Sequence, residues 1–445
     1  MELQELTKLN PNWRDQSISD KKLDSITDLC YSISMEIQKL DTYTKRNELL
    51  NEYRIGQGGF TARLNNFVAS NHKTILSYFW SDNLNAMYIL GVNEKEAFFK
   101  KVDTPENFSE LVEKAFTLNS QLNINSKDLA KQTKLNQELY RFFIKPIHQK
   151  VKNENELLIY PFGIASFVSF DAILQPDQRY LVQDFITSYT SSLFSMLRSE
   201  KKTSATKPKI TSFYPADYGT DTLAYLFHAK NEIESFENFG DPHSYKAQQA
   251  TKERFLLEAN DSKILHISSH SILNFEDPYR SYLLFDAKSG ANNQMFAYEI
   301  FAETFDADLV TLSSCNSSSG SLETGIGMVS LANAFYFSGI PATVGSMWSA
   351  QDKSSSEIMI DFYANLFRGK KKAESLAFSK RKYLAETDNV TRQPFFWANY
   401  VLYGSDAPVV EKEEQNYSFW IVSTGFLLLF LLSAGYYKFS SNVSI

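Results

Sequence analysis

Cysteine is scarce in this 445-residue sequence. Only Cys30 and Cys315 occur, so disulfides are not what holds the fold together. No cluster of Cys and His has the spacing of a zinc site. A reducing compartment fits this cysteine usage without being required by it. We therefore expect no metal ion and no other cofactor.

Positive charge is not concentrated in any stretch either. The formal net charge is -7, and the longest basic blocks are Lys370–Lys372 and Lys380–Lys382. Binding to a polyanion needs a denser patch of Lys and Arg, so the sequence argues against nucleic acid as a partner. The first residues, Met1–Asp20, are polar and carry no secretory signal, so export by that route is not expected.

Apolar residues, in contrast, are plentiful. They make up 43% of the chain, and aromatic residues alone make up 14%. This content is enough for a substantial core in one large or two ordinary domains. The chain is therefore predicted to be globular rather than disordered.

A long apolar segment lies near the C-terminus. No charge occurs between Glu414 and Lys438, and aromatic side chains flank both ends of the apolar run. Such a run is long enough to cross the hydrocarbon layer as a helix. We predict an acidic linker at 409–416, a single transmembrane helix at 417–437 and a short tail at 438–445. The orientation stays open, because Lys438 favours a cytoplasmic tail whereas the missing signal favours a cytoplasmic main domain.

The N-terminal region, 1–55, is predicted to be helical. Within Lys22–Tyr53, apolar residues recur at helical spacing along one face. The glycine-rich string Gly56–Gly59 is expected to end this helix. Because a lone amphipathic helix must pack on something, we interpret the segment as a candidate remnant of a helical-repeat region.

Residues 56–408 read as one α/β domain. Three strand signals at 76–80, 86–92 and 97–102, separated by turn residues, predict a small antiparallel meander. Beyond it, a helical pattern over 129–151 is followed by alternating strand and helix signals, which end in a predicted strand over 396–403. This alternation predicts a mostly parallel sheet covered by helices on both faces, a three-layer sandwich. The meander and the N-terminal helix would precede the sandwich, and the transmembrane helix would follow it.

Two short apolar runs in this domain each end in a polar cluster with a reactive side chain. Ile264–Ile267 leads to His270, and Leu309–Leu312 leads to Cys315. Fully apolar runs of this length are typical of strands buried on both faces of a parallel sheet, and ligands bind at the carboxyl ends of such strands. We therefore predict that a thiol and an imidazole face each other across one cleft.

That pair has the chemistry of nucleophilic catalysis. A cysteine attacks as the thiolate, so Cys315 needs a proton acceptor, and the imidazole of His270 is the candidate. The backbone NH groups of Cys315 and Ser271 are candidate donors to an oxyanion. His266 lies inside the apolar run and is interpreted as structural, and Cys30 is interpreted as a small buried hydrophobe.

Several ordered motifs between Lys263 and Gly404 resemble the CHAT family of caspase-like domains, within the group that includes caspases, gingipains and separases. The family's strand ending in His matches Ile264–Ser271, and its strand followed by Leu-Ser-x-Cys matches Val310–Asn316. Further matches are Gly325 with Gly327, Leu331–Phe335, Val344–Trp348 with Asp352, Pro394–Ala398 and, upstream, Leu158–Phe170 and Tyr180–Tyr189. The resemblance covers a little over half of the chain.

The resemblance implies a caspase-like fold and cleavage of protein or peptide substrates by a His270/Cys315 dyad. It further implies that an extended peptide pairs with the strand edge at Ser346, Met347 and Trp348, and that Asp352 lies near the specificity pocket. Asp352 would favour a basic residue before the scissile bond, although helix capping explains this aspartate equally well. The resemblance also suggests control by a helical-repeat partner or by proximity at the membrane.

Two other classes of function remain open. The family usually has Gly where this chain has Ser271, and often an acidic residue where this chain has Asn316. These departures favour a catalytically inactive interaction or signalling module tethered to the membrane. A nucleotide-binding domain is disfavoured because no strand is followed by a glycine-rich phosphate loop.

Overall fold

The computed structural model describes residues 57–123, 125–193, 196, 207–215, 229–274, 277–287, 293–313, 321–323, 327–329, 331–349 and 351–410. These residues belong to one compact unit, Met1–Val410. The predicted helix at 22–53, the predicted membrane span at 417–437 and Cys315 lie outside the described residues. Among the helices that are described, none has the length and apolar character needed to span a bilayer.

The described chain forms sixteen strands. They are β1 (Lys73–Ser81), β2 (Ala86–Val92), β3 (Ala97–Asp103), β4 (Glu156–Pro161), β5 (Ile186–Tyr189), β6 (Lys209–Tyr214), β7 (Asp241–Lys246), β8 (Ile264–Ile267), β9 (Ser271–Ile272), β10 (Tyr282–Leu284), β11 (Gln294–Phe296), β12 (Leu309–Leu312), β13 (Ser321–Glu323), β14 (Gly327–Val329), β15 (Ala342–Ser346) and β16 (Tyr400–Gly404). Most of them join one large sheet, as the alternating sequence signals predicted.

Helices connect these strands. They are α1 (Gln57–Asn71), α2 (Phe108–Asn119), α3 (Ser126–Leu139), α4 (His148–Val151), α5 (Ala229–Ser235), α6 (Lys252–Glu258), α7 (Ala297–Ala302), α8 (Leu331–Phe337), α9 (Asp352–Leu366), α10 (Lys372–Glu386) and α11 (Pro394–Trp397). The segment predicted as one helix over 129–151 contains α3, a π turn at Tyr140–Ile144, a 3-10 turn at Lys145–Ile147 and α4.

The main sheet has eleven strands in the order β3-β2-β1-β4-β5-β16-β15-β12-β8-β6-β7. From β15 to β7, neighbouring strands are parallel, and from β16 to β1 they are parallel again. Strands β15 and β16 are antiparallel, so, apart from β2 and β3 at one edge, the sheet consists of two parallel halves that run in opposite directions. We call them the β8 half (β15, β12, β8, β6, β7) and the β4 half (β16, β5, β4, β1).

The predicted antiparallel meander is present as β1, β2 and β3. Its bounds follow the predicted strand signals closely, and β2 spans the predicted 86–92. The meander is not separate from the main sheet, because β1 pairs in parallel with β4. Tyr78 of β1 is fully buried and contacts the rings of Phe143 and Phe170, which ties the meander to the core of the β4 half.

Two apolar cores cover the sheet, and the β8 half borders both of them. The smaller core is aromatic, with the ring of Phe255 on α6 packing against Phe213, Phe285 and Phe335. The larger core includes Trp397 and the apolar side of α9 and α10, and it extends from the β4 half to Ile264 of β8 and Leu309 of β12. Both cores border the buried strands, which explains why β8 and β12 carry almost no polar residues.

Two local features were not predicted correctly. The string Gly56–Gly59 is not one of them, because the helix that it was expected to end lies outside the described residues, although Gln57, Gly58 and Gly59 begin α1. The predicted strand over 396–403 is divided, because Pro394 favours the first turn of a helix and β16 starts only at Tyr400. Strand β7 was missed altogether, since its sequence is polar and its side chains are only partly buried at the edge of the sheet.

Candidate active site

The two strands that precede the predicted catalytic residues are direct neighbours in the β8 half. Strands β8 and β12 are parallel, and Ile267 at the end of β8 pairs with Leu312 at the end of β12. Every residue of both strands is buried. Just past the strands, the backbone NH of Ser313 donates to the carbonyl of Ile267 over 2.9 Å. The two chain segments therefore leave the sheet side by side.

His270 lies three residues beyond Ile267, at the carboxyl edge of the sheet. His270 is half-buried, and its carbonyl accepts a hydrogen bond from the NH of Leu284 over 2.9 Å. The hydroxyl of Ser269 donates to the carbonyl of the same leucine. The segment that carries His270 is thus fixed by its attachment to β10 as well as by β8.

Cys315 lies three residues beyond Leu312, the same offset that separates His270 from Ile267. It falls outside the described residues, which reach Ser313 on this segment. The dyad therefore stays a prediction, and the arrangement of the two strand ends is the geometry that bears on it. Adjacent strands in a sheet lie roughly 5 Å apart, so equal offsets keep two chains within side-chain reach when both continue side by side.

Ser271, the second predicted oxyanion donor, begins strand β9. It pairs with Leu283 of β10 and is 8% exposed. Its backbone is extended and is not among the positive-φ positions of the described chain. A serine at this position therefore needs no conformation reserved for glycine, and the departure from the family pattern creates no backbone strain.

The predicted substrate-binding residues Ser346 and Trp348 are buried. Ser346 is the last residue of β15 and pairs with Tyr400 of β16. Trp348 is 2% exposed, donates from its indole NH to the carbonyl of Phe395 over 3.2 Å, and packs edge-on against Phe116. Between them, the NH of Met347 donates to the carbonyl of Asn399 over 2.8 Å. Contact of Ser346 or Trp348 with a peptide would have to involve backbone atoms.

Asp352 is the first residue of helix α9 and is half-buried. The residue that caps this helix is Gln351, whose side chain accepts a hydrogen bond from the NH of Ser354 over 2.8 Å. Helix capping, the other explanation that the sequence offered for Asp352, is therefore carried out by its neighbour. An acidic group in the first turn still interacts favourably with the helix dipole.

A buried polar cluster, which sequence reasoning missed, lies directly below the two strand ends. Its centre is Glu232 of α5, 1% exposed, with its Oε1 atom 3.0 Å from Nε2 of His266. Glu232 Oε2 accepts a hydrogen bond from the hydroxyl of Ser313 over 3.3 Å. The Ser313 hydroxyl is also 3.0 Å from the hydroxyl of Tyr400. No local sequence signal marks Glu232, because its role depends on which strand the helix packs against.

His266 is fully buried, in agreement with its position inside an apolar run. Its Nδ1 lies 3.0 Å from the hydroxyl of Tyr363, which donates to Thr311 over 2.9 Å, so the tyrosine oxygen accepts the Nδ1 proton. Its Nε2 lies 2.8 Å from the hydroxyl of Ser268. Burial raises the pKa of the Tyr363 hydroxyl far above its usual value, so this tyrosine stays neutral.

The β4 half contains buried ion pairs, among them Lys380–Asp171. Lys380 of α10 is fully buried and donates to Oδ2 of Asp171 over 2.5 Å and to the carbonyl of Tyr400. The other carboxylate oxygen of Asp171 accepts from the hydroxyl of Thr187. Within the described ranges, no three His, Cys, Asp or Glu side chains are grouped so that they could hold a metal ion.

Comparison with known structures identifies the fold. The chain of separase in the Saccharomyces cerevisiae separase–securin complex matches with a TM-score of 0.54 and 9% sequence identity, over 77% of this chain and 30% of that chain. The Arg-specific cysteine proteinase gingipain R (RgpB) of Porphyromonas gingivalis matches with a TM-score of 0.41 and 7% identity, over 68% of this chain and 76% of that chain. This chain thus spans less than a third of the separase chain that it matches. It has a caspase-like α/β fold with a large, mostly parallel sheet.

The sequence itself matches the CHAT domain over residues 133–405. This match covers more than half of the chain, and it includes β8, His270, β12, Cys315 and β15. No curated protein sequence matches. The chain belongs to the CHAT domain family, as its ordered motifs predicted.

Proposed function

We propose that this protein is a caspase-like cysteine endopeptidase in which Cys315 is the nucleophile and His270 is the general base and then the general acid. The observation that carries the proposal is the register of β8 and β12. Ile267 pairs with Leu312, and each candidate residue follows its strand by the same number of residues. Adjacent carboxyl ends of parallel strands are the usual location of catalytic groups in α/β proteins.

The first chemical step transfers the thiol proton of Cys315 to the imidazole of His270, which leaves a thiolate and an imidazolium. The thiolate then attacks the carbonyl carbon of the scissile peptide bond. Charge develops on the carbonyl oxygen, and the backbone NH groups of Ser271 and Cys315 are the proposed donors to it. The extended backbone of Ser271 supports this assignment, since it needs no strained φ.

In the second step the imidazolium of His270 protonates the leaving amine, the C–N bond breaks and a thioester to Cys315 remains. Water, deprotonated by the now neutral imidazole, attacks the thioester carbonyl. The C–S bond breaks, the new carboxyl terminus leaves, and the thiol is restored by the proton that His270 carries. Protons and electron pairs balance without a metal ion or a cofactor.

The substrate is proposed to be an extended protein segment that lies along the backbone of Ser346–Trp348. In support, the described ladder between β12 and β15 reaches only Val344, whereas β15 continues to Ser346. Backbone pairing gives affinity, and a side-chain pocket gives selectivity. Asp352, which is not the cap of its helix, is proposed to favour a basic residue before the scissile bond.

The location and the regulator are part of the same proposal. The apolar run at 417–437 is proposed as a single membrane anchor, tested by whether the full chain stays in the membrane pellet after alkaline carbonate extraction. A helical-repeat protein that docks near Lys22–Tyr53 is proposed as the regulatory partner. Separase, which shares the fold, has been solved in complex with securin, and this supports a protein partner here.

A thiol-directed covalent peptide probe with a basic residue before its reactive group tests the catalytic proposal. The full chain and Cys30→Ala should be labelled, whereas Cys315→Ala should not. His270→Ala should lower the labelling rate about 10²- to 10⁴-fold, because the general base is lost. Asp352→Asn should shift preference away from basic probes without abolishing the labelling.

Cys30→Ala is the matched control, since it removes the other cysteine of the chain. Equal labelling of the full chain and of Cys315→Ala would contradict the enzyme proposal. The catalytically inactive interaction module, which Ser271 and Asn316 favoured at the level of sequence, would then be the better description.

A further inference from the structure

We infer that the buried pair Glu232–His266 positions both active-site segments at once and acts as the structural link between the nucleophile and the base. The inference rests on the proposed function, and it concerns residues that touch neither substrate nor reacting atoms. Ser268 precedes His270 by two residues, and Ser313 precedes Cys315 by two residues. The hydroxyl of Ser268 contacts His266, and the hydroxyl of Ser313 contacts Glu232.

The contacts on the nucleophile side run through Ser313. Its hydroxyl donates to Glu232 Oε2 over 3.3 Å and lies 3.0 Å from the hydroxyl of Tyr400. Its backbone NH is held by the carbonyl of Ile267. Ser313 is therefore fixed by main-chain and side-chain contacts just before the chain continues to Cys315.

The contacts on the base side run through Ser268. Its hydroxyl lies 2.8 Å from Nε2 of His266, and its NH donates to the carbonyl of Phe213 over 3.0 Å. The same Nε2 is 3.0 Å from Oε1 of Glu232. One carboxylate thus faces the histidine with one oxygen and the serine of the neighbouring segment with the other.

The rest of the pair's surroundings keeps it rigid. His266 is held at Nδ1 by Tyr363, and the ring of Phe236 packs edge-on against the imidazole with 4.9 Å between the centroids. Glu232 and His266 are 1% and 0% exposed, so water does not compete for their hydrogen bonds. A buried carboxylate without a positive or donating partner is strongly unfavourable, so loss of the Ser313 hydrogen bond to Oε2 of Glu232 would be destabilising. The Oε1 atom accepts no hydrogen bond from the described residues, and it meets the pair's imidazole through the 3.0 Å approach to Nε2 of His266.

If Glu232 served only to stabilise the core, all of its hydrogen-bond partners would be core residues. Instead, one of its oxygens bonds a half-buried residue at the edge of the predicted cleft. Misplacement of a reacting group by about 1 Å lowers a catalysed rate roughly 100-fold. A pair that sets the separation of two loops can therefore control the rate without contacting the substrate.

The test measures the reactivity of Cys315 in a Cys30→Ser background of the full chain, where Cys315 is the one remaining thiol. The second-order rate of alkylation by iodoacetamide is recorded against pH, together with amide hydrogen exchange of peptides covering 268–273 and 311–317. Glu232→Gln and Ser313→Ala should lower the alkylation rate at neutral pH about 10- to 100-fold. They should also speed exchange in the two segments.

Ser313→Thr keeps the hydroxyl and should restore reactivity to within about threefold of the parent, since the hydrogen bond to Glu232 is retained. The control is Asn136→Ala, which breaks a buried amide pair with Asn119 outside this cluster. That variant should lose stability and leave both the alkylation rate and the exchange of the two segments unchanged.

The inference is overturned if Glu232→Gln leaves exchange in either segment at the parent level, whatever the protein's catalytic activity. It is also overturned if Asn136→Ala and Glu232→Gln have the same effect on both readouts. Failure of the proposed function has a different signature, because Cys315 of the parent would then alkylate like the thiol of the unfolded chain. In that case the exchange data alone decide on the positioning role.

Discussion

Both parallel halves of the sheet contain buried pairs of ionisable side chains, and the pairs Lys380–Asp171 and Glu232–His266 differ in what their hydrogen bonds reach. In the β4 half, Lys380 and Asp171 are joined to Thr187 and to a strand carbonyl, all within the core. In the β8 half, Glu232 and His266 are joined to Ser313 and Ser268, which lie past the strand ends. The first pair stabilises the packing of α10 on the sheet, and the second links the fold to the candidate site.

The largest expected effect comes from breaking the Lys380–Asp171 pair of the β4 half. Lys380→Met leaves the Asp171 carboxylate buried without its cation, and we expect the free energy of unfolding to fall by about 3–5 kcal/mol. Urea unfolding of the variant and the parent measures this difference. Lys380→Met combined with Asp171→Leu should recover most of the loss, because no unpaired charge then remains buried. If Lys380→Met lowers the free energy of unfolding by less than about 1 kcal/mol, the Lys380–Asp171 pair does not stabilise the packing of α10 on the sheet, and the proposed contrast with Glu232–His266 fails.

A second lysine of the same helix sharpens the comparison. Lys372 is 1% exposed, and its ammonium donates to the carbonyl of Ala407 rather than to a carboxylate. Burial lowers the pKa of Lys372 to about 8, although Asp406 and Asp308 oppose the shift. Between pH 8 and its ordinary pKa near 10.5, the folded state thus binds fewer protons than the unfolded state.

The sign of the linkage follows from this difference. The stability of the parent relative to Lys372→Met should rise with pH by about 1.4 kcal/mol per unit across the window, about 3 kcal/mol in all. Below pH 8 both states hold the proton, so the difference between the two proteins should be flat. Urea unfolding from pH 7 to 10 measures it, and a difference that stays constant over the whole range would contradict the lowered pKa.

The next largest loss of stability is expected at the seam, the antiparallel pair β15–β16 where the two halves meet. Gly404 ends β16 at a φ of +91°, and a Cβ placed there would lie 2.2 Å from the carbonyl oxygen of Pro341, which precedes β15. Gly404→Ala should therefore lower the free energy of unfolding by about 2–3 kcal/mol, through strain and through separation of the two strands.

Gly163 provides the control for this prediction. Its φ is +64°, but nothing lies within 4 Å of an added Cβ. Gly163→Ala should show the backbone strain alone, about 1 kcal/mol. If the two variants are equally destabilised, close packing at the seam is not what demands Gly404.

The smallest expected effect is at a helix cap in the β4 half. The side chain of Asn125 accepts from the NH of Asp128 over 2.8 Å at the start of α3. Asn125→Ala should lower the midpoint of thermal unfolding by an amount equivalent to about 1 kcal/mol, and Asn125→Ser should retain most of the stability. Probe labelling of Cys315 should be the same in both variants, and a change would show that the β4 half also acts on the site.

Elements with a strong local pattern could be predicted from the sequence almost residue by residue. Strands β2 and β12 have the predicted bounds, because alternating or continuous apolar character is set by the residues themselves. Strand β7 could not be predicted in this way. Its partly exposed side chains carry no apolar signal, and only its pairing with β6 makes it a strand.

The candidate site likewise contains residues that the sequence predicted and residues that only the tertiary structure reveals. His270 was singled out because it follows an apolar run, and the structure places it three residues past the end of β8, where its carbonyl is bonded to Leu284 of β10. Ser346 and Trp348 were assigned from family motifs, and the structure shows both side chains buried. Glu232 had no signal at all, since helix α5 is connected to His266 only through packing.

The sequence by itself determined the alternation of strands and helices, the membership of the CHAT family and the candidate residues at two strand ends. These features depend on local apolar patterns and on short ordered motifs. The tertiary structure alone decided that the meander continues the main sheet, that two opposed parallel halves meet at β15 and β16, and that Glu232 lies beneath both segments. Such contacts join residues far apart in the chain, and side-chain spacing within one segment carries no information about them.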